Sequence, residues 1–243
     1  MQKHSLRTDG KIRVGDPKLA ARLNKELEGN VLFDKFSRGR YSTDASIYQI
    51  EPIGTVVPMS NADVERTINI AKDEGIPILP RGGGTSQCGQ VLGEALIIDT
   101  SKQLNRILEF DAETKTIEVE PGVVLDDLNR MLKPHKLFFP VDISTGSRAT
   151  IGGMAGNNAC GSRSIRYGNM VHNVLEIDAI LADGTKAHFG QVSGNLEDIG
   201  GPRSYLDIIS TLRKIAARES EEIDYRYPNL LRNVGGYNIN TIK

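Results

Sequence analysis

Hydrophobic positions in this 243-residue chain change their period along its length, and each change marks an element. Leu19, Ala20, Leu23 and Leu27 recur at helical spacing. Asp16-Pro17 before them reads as an N-cap with proline at the first helical position, and Gly29 reads as the stop. Residues 40–46 are polar and read as a loop. From about residue 52, short apolar runs of strand length alternate with helical stripes. Strands are predicted over 55–58, 76–79, 95–99, 107–110 and 116–120, with Asp111-Ala112-Glu113-Thr114 as the turn between the last two. A helix opens at Ser60-Asn61-Ala62-Asp63, carries Val64, Ile68 and Ala71 on one face, and ends at Gly75. Another helix, over 123–132, aligns Leu125, Leu128 and Leu132. Runs over 175–181 and 185–189 around Asp183-Gly184 predict an antiparallel hairpin. The stretch 202–219 is a helix with Leu206, Ile209, Leu212 and Ile215 on one stripe.

A strand–helix–strand unit needs a crossover, so a parallel pair is expected over 55–79. The pattern as a whole predicts an α+β fold. A small parallel βαβ subdomain comes first, and a mainly antiparallel sheet with flanking helices follows. No internal repeat or low-complexity tract interrupts it.

Two glycine-rich stretches break the periodicity. The first, Pro80-Arg81-Gly82-Gly83-Gly84-Thr85-Ser86-Gln87-Cys88-Gly89-Gln90, directly follows a predicted strand. Without Cβ atoms such a loop can turn its N–H groups toward one point and admit an anion. It is neither a Walker A loop nor a Rossmann fingerprint, because the Gly-Lys-Ser/Thr end and the G-x-G-x-x-G spacing are missing. A phosphate cradle and a plain tight loop both fit it. The second stretch runs from Thr145 to Gly161 and contains Thr150-Ile151-Gly152-Gly153, which looks like a turn entering a short helix. Its small side chains suit close backbone packing, a flexible loop or approach by a large flat ligand.

Composition narrows the options. A net charge of −1 gives no electrostatic footprint for nucleic acid. No apolar run reaches the roughly 18 residues of a membrane span, so no transmembrane segment is expected. Met1 to Arg7 lacks the apolar core of a secretory signal, and Cys88 and Cys160 do not suggest a disulfide framework, so a cytoplasmic location is expected. Two cysteines and four scattered histidines argue against a structural zinc site, and no metal is expected.

The ordered motifs are specific as a set. They are Arg81-Gly82-Gly83-Gly84-Thr85-Ser86, Gly89-Gln90, Thr150-Ile151-Gly152-Gly153, Asn157-Asn158-Ala159-Cys160-Gly161, Arg166-Tyr167-Gly168 and Ala182-Asp183-Gly184. Together they resemble the FAD-binding domain of the vanillyl-alcohol oxidase superfamily, also called the PCMH type. Within it the chain is most similar to the FAD-linked D-2-hydroxyacid dehydrogenases, a branch with D-lactate and D-2-hydroxyglutarate dehydrogenases and the glycolate oxidase FAD subunit. Arg40-Tyr41-Ser42-Thr43-Asp44 resembles that branch's opening signature, and Gly236-Tyr237-Asn238 its Gly-Tyr element.

The resemblance implies a two-subdomain FAD-binding type 2 fold, with an N-terminal lead-in over 1–46, a pyrophosphate-loop subdomain over 47–112 and a second subdomain over 113–243. It implies that amides of Arg81, Gly82, Gly83, Gly84, Thr85 and Ser86 wrap the FAD pyrophosphate, with Gly89 and Gln90 ending the loop. It places Thr145, Thr150, Gly152, Gly153, Gly156, Asn157, Cys160 and Gly161 along the flavin, and the Ile180 backbone at adenine. Thr85 stands where some members carry the histidine that bonds FAD covalently, so non-covalent FAD is expected. Family members continue past the Gly-Tyr element into a second flavin-binding stretch and a cap domain that hold the substrate arginines, metal-binding histidines and general base. The chain therefore reads as a truncated, incomplete fold with no assignable catalytic residue; His135, His172 and His188 read as surface or packing groups. The full protein is expected to oxidise a D-2-hydroxy acid to the 2-oxo acid and to pass electrons to a quinone, cytochrome or iron–sulfur domain outside this chain, with a peripheral membrane position for the longer protein. The alternatives are an FAD-binding fragment or subunit without turnover of its own, or another PCMH-type oxidoreductase such as the enolpyruvyl-sugar reductase.

Overall fold

A computed structural model of the chain describes residues 14–192, 199–230, 234 and 237–242. The readings made on Met1 to Arg7 and on Gly236 lie outside these residues. The described chain divides into two compact units, one formed by residues up to Phe110 with Ile117–Val123, the other by Asp111–Thr116 and the residues from Val124 onward.

The first unit is built on a four-stranded sheet. Helix α1, Pro17–Glu26, starts where the Asp16 carboxylate accepts from the N–H groups of Lys18 and Leu19, both at 2.9 Å. Its Leu19 and Leu23 are buried in a cluster with Phe33, Ile53, Val56, Ile70, Ile76 and Leu96. The helix stops at Leu27, whose extended backbone ends it before Gly29. Gly29 serves a different purpose from the expected stop: a Cβ there would lie 2.3 Å from the Val57 carbonyl oxygen.

Strand β1, Asn30–Leu32, and helix α2, Lys35–Tyr41, follow. Neither stands out in the sequence pattern. β1 is three residues long, and α2 carries Gly39 and few apolar positions. The polar loop expected over 40–46 therefore begins as a helix end, with Arg40 and Tyr41 in the last turn. Strand β2, Gly54–Val57, leads to helix α3, Asn61–Glu74, which Ser60 caps and Gly75 ends. The fully buried Asp63 carboxylate accepts from the N–H groups of Glu28, Gly29 and Met59, tying the α1–β1 connection to the start of α3.

Strands β3, Ile78–Arg81, and β4, Leu96–Asp99, complete the sheet in the order β1-β2-β4-β3. Both β2 and β3 run parallel to β4, and β1 pairs antiparallel with β2. The parallel pairing expected over 55–79 is thus indirect, because β4 lies between the two strands. The burial pattern gives the reason: every residue of β2 and β4 is buried, whereas β3 is half-exposed and carries Pro80. A proline that removes a ladder donor belongs on an edge strand. Strands β5, Ile107–Asp111, and β6, Thr116–Val119, form a separate two-stranded sheet around the predicted turn, where Asp111 Oδ1 accepts from the Glu113 and Thr114 N–H groups.

In the second unit, helix α4, Leu125–Leu132, buries Leu125, Leu128 and Leu132. Short helices α5, Ile151–Gly156, α6, Ser164–Tyr167, and α7, Met170–Asn173, pack Met154, Ala159 and Met170 with Leu125 and Val141. Strands β7, Ile177–Ile180, and β8, Lys186–Phe189, make the predicted antiparallel hairpin around Asp183-Gly184. Helix α8, Arg203–Arg218, sets Tyr205 edge-on to Phe189 at 5.2 Å between ring centroids, and α9, Ser220–Arg226, follows. No helix of the described residues is long and apolar enough to cross a membrane.

Candidate functional site

The first glycine loop leaves the sheet at the C-terminal end of β3, the end at which ligands gather in parallel α/β sheets. Arg81 closes β3 beside Asp99 of β4. Beyond it, the N–H groups of Gly82, Gly83, Gly84 and Thr85 meet no acceptor among the described residues. Four successive amides without protein partners in a loop are a ready cradle for an anion. Ser86 ends the run by folding back on itself. Its hydroxyl donates to Gln90 Oε1 at 2.8 Å and accepts from the N–H groups of Cys88 and Gln90 at 3.2 and 3.4 Å. Gly89 lies against Tyr48.

Behind the loop lies a polar cluster that the glycine pattern does not announce. The Arg81 guanidinium donates to the carbonyls of Tyr41 and Thr43 at 3.3 and 2.8 Å, and its centre lies 5.3 Å from the Tyr41 ring centroid. The Tyr41 hydroxyl donates to Asp99 Oδ2 at 2.6 Å. The Asp99 carboxylate, 2% exposed, also accepts from the Ser101 N–H at 2.8 Å and the Ser101 hydroxyl at 2.6 Å. Burial and the Asp99 hydrogen bond hold the Tyr41 phenol above its ordinary range, so it stays a donor. Burial lowers Arg81, against the opposing pull of Asp99, Tyr41 and Asp44. Asp44 Oδ1 accepts from the Ser46 N–H, while its buried Oδ2 has no hydrogen-bond partner among the described residues. The Ala45 N–H donates to Ser86 at 3.1 Å, which links the lead-in to the far end of the loop. The Arg40-to-Asp44 stretch and the glycine loop are therefore one physical assembly. The signal for Tyr41 and Asp99 was present as an aromatic in a polar run and as an acid closing an apolar strand, but neither spacing reveals that they meet.

The second small-residue stretch lies in the second unit and is held differently. Thr150 caps α5, its hydroxyl accepting from the Gly153 N–H, as the Thr-Ile-Gly-Gly order suggested. Thr145 accepts the N–H groups of Arg148 and Ala149 at its carbonyl. Gly152, Gly153 and Gly156 lie within α5, and Asn157 caps its end. Asn158 takes a left-handed φ of 43°, accepts from the Val171 N–H and leaves its buried Nδ2 without a hydrogen-bond partner among the described residues. Gly161 passes so close to the chain at Asp142 that a Cβ would stand 2.0 Å from the Asp142 carbonyl oxygen. The Asp142 carboxylate then accepts from the Ser162 hydroxyl at 2.7 Å and the Arg163 N–H at 2.8 Å. Cys160 is a half-buried free thiol. Ile180 ends β7 opposite Lys186, on a different element from the rest of the set. Arg166 stacks over Tyr167 at 5.4 Å, and His172 accepts from the Asn169 N–H to complete the start of α7.

The first unit fits an anionic dinucleotide: its loop supplies N–H groups without acceptors among the described residues, and Gly84 takes a left-handed φ of +67° with the Arg81 guanidinium against it. Comparison with known proteins agrees. A D-2-hydroxyglutarate dehydrogenase of Pseudomonas putida is 34% identical over 226 residues, covering 91% of this chain and 22% of that protein. The glycolate oxidase subunit GlcD of Bacillus subtilis is 35% identical over 163 residues, covering 65% of this chain and 35% of that protein. The chain thus spans about a fifth of the length of the curated dehydrogenases it matches. The solved structure of Physcomitrella patens BBE-like 1 superimposes with a TM-score of 0.62 at 23% identity, over 71% of this chain and 37% of that one, and shows the same fold. The sequence profile of the FAD binding domain matches residues 52–190, more than half of the chain, and the chain belongs to that family.

Proposed function

We propose that this chain is the FAD-binding part of a flavoprotein oxidoreductase that converts a D-2-hydroxy acid, D-lactate-like in size, to the 2-oxo acid. The run of unpaired amides from Gly82 to Thr85 carries this reading, because it gives the negative pyrophosphate of FAD four donors. FAD would supply the acceptor for a hydride leaving the substrate Cα. The chain's own residues bind and orient. Arg81 to Ser86 would hold the pyrophosphate, Gly89 and Gln90 would close that loop, and Thr145, Thr150, Gly152, Gly153, Gly156, Asn157, Cys160 and Gly161 would line the isoalloxazine. Ile180 would meet adenine through its backbone. Thr85 has no nitrogen nucleophile, so FAD would be held without a covalent bond. The relatives' names support the substrate class, since they include a D-2-hydroxyglutarate dehydrogenase and a glycolate oxidase subunit. The electron acceptor would lie outside the chain; one relative is a cytochrome-linked D-lactate dehydrogenase of Saccharomyces cerevisiae. A cytoplasmic or peripheral membrane location is part of the same proposal.

A second reading is favoured by the share of the relatives that the chain spans: it binds FAD and does not turn over alone. One titration separates the two. The purified chain mixed with FAD should show the visible spectrum of bound oxidised flavin, and acid precipitation should release the flavin into solution. Bleaching by D-lactate or D-2-hydroxyglutarate supports the oxidoreductase reading for the chain itself. Bound flavin that neither acid reduces supports the second reading, and no bound flavin overturns both.

A further inference from the structure

We propose that the Arg81 side chain, Tyr41 and Asp99 form a brace behind the glycine loop that sets FAD affinity without touching FAD; this rests on the functional reading above. An arginine beside three glycines invites the view that its charge meets phosphate. The geometry points elsewhere. The guanidinium fork is engaged inside the protein, on the carbonyls of Tyr41 and Thr43, and its centre stacks over the Tyr41 ring. The carboxylates of Asp99 and Asp44 act on its charge from within the same unit.

Each member of the brace is fixed by the next. Ser101 holds Asp99 with two donors, Asp99 holds the Tyr41 hydroxyl, and the Tyr41 ring and carbonyl hold Arg81. Arg81 in turn lies directly against the loop: its Nη2 stands 2.6 Å from where a Cβ at Gly84 would be. The Ala45 N–H fixes the far end at Ser86. The backbone that leaves Gly82 to Thr85 without acceptors is therefore set from both sides before any ligand arrives. A pre-shaped loop binds more tightly because its ordering cost is met on folding. Tyr41 and Arg81 are positioning residues in this scheme, and the amides do the holding.

The test is FAD titration of the full chain, read by flavin fluorescence, with thermal unfolding of the apo chain recorded alongside. Tyr41→Phe removes only the hydroxyl and is expected to weaken FAD about tenfold. Arg81→Lys is expected to weaken it about as much, roughly tenfold, because an ammonium cannot span two carbonyls as a planar fork does. The double variant should be no weaker than the weaker single variant, since both act on one element. A direct Arg81–pyrophosphate contact gives the opposite pattern, with most affinity kept in Arg81→Lys, none lost in Tyr41→Phe and additive effects, and that pattern overturns the brace. So does a loss of affinity matched throughout by an equal loss of apo stability, which marks general loosening. Should Tyr41→Phe not fold, Arg81→Lys decides alone, because replacing the partly exposed Arg81 leaves the buried Asp99 all its donors, Tyr41 and Ser101. A wild-type chain that takes up no FAD overturns the functional reading and the brace with it, whereas wild-type binding with unmoved variants overturns the brace alone.

Discussion

The two glycine-rich stretches share their wealth of glycine and use it differently. In the first unit, the glycines of the 82–84 run sit in a loop whose amides have no acceptors, and rigidity comes from large polar side chains behind them. In the second unit, several of the amides are spent internally, although those of Ile151, Gly152 and Cys160 meet no acceptor among the described residues. Gly153 donates to Thr150, Asn157 to Gly153, Asn158 to Ala155, Ala159 to Met154 and Gly161 to Ser164. There the missing side chains serve close packing, as where Gly161 passes Asp142. Glycine content alone does not mark an anion cradle. What marks one is the pairing state of the amides, and that depends on what stands behind the loop.

This contrast makes unequal predictions for the same substitution. Gly161→Ala should be the most damaging, because a Cβ 2.0 Å from the Asp142 carbonyl oxygen meets backbone that cannot swing away. A loss of about 3 kcal/mol or more is expected, seen as a large drop in the urea midpoint of unfolding. A near-normal midpoint would show that this stretch is not closely packed after all. Gly84→Ala should cost less, about 1–2 kcal/mol from its left-handed φ and from the Arg81 contact. Its larger expression should be a loss of FAD affinity at a modest change in midpoint. Equal losses in the two measurements would erase the distinction between the loops.

A smaller effect concerns the carboxylate that anchors the second stretch. Burial pushes the Asp142 carboxyl up, but the Ser162 and Arg163 hydrogen bonds and the Arg163 charge outweigh it and hold the group below the usual carboxylate range. The unfolded chain therefore takes up this proton at a higher pH than the folded one. The stabilisation is complete above the ordinary aspartate value near ~4 and is lost as pH falls through the lower folded value. Ser162→Ala should remove about 1 kcal/mol at neutral pH and flatten the acid limb of the stability profile. Unchanged acid sensitivity in that variant would place the anchor elsewhere.

Much of this was readable from the chain. Alternating apolar runs located β2, α3, β4 and the β7–β8 hairpin because each element buries a face whose period matches its geometry. Helix α2 was hidden because Gly39 and a mostly polar face obscure its period, and its buried aromatic, Tyr41, finds its hydrogen-bond partner on β4. The placement of β4 between β2 and β3 is a property of the sheet and not of any local window. The same holds for the site. The glycine loop is a local feature and shows as composition. Its brace joins Tyr41, Arg81 and Asp99, which meet only because β3 and β4 pair and α2 ends beside them.

The smallest prediction separates packing from function most cleanly. Gly156 is the last residue of α5, and a Cβ there would meet nothing within 4 Å. On folding grounds alone Gly156→Ala should be harmless or stabilising by about 0.5 kcal/mol, because alanine orders more cheaply in a helix. The flavin reading says otherwise for binding: open space beside a helix of small residues is where a flat ring would lie, and a methyl group would fill part of it. The variant should therefore keep or raise its midpoint while losing FAD affinity. A midpoint that rises with affinity intact would assign Gly156 to the packing side of the contrast, and the second stretch's claim on the flavin would narrow to its other residues.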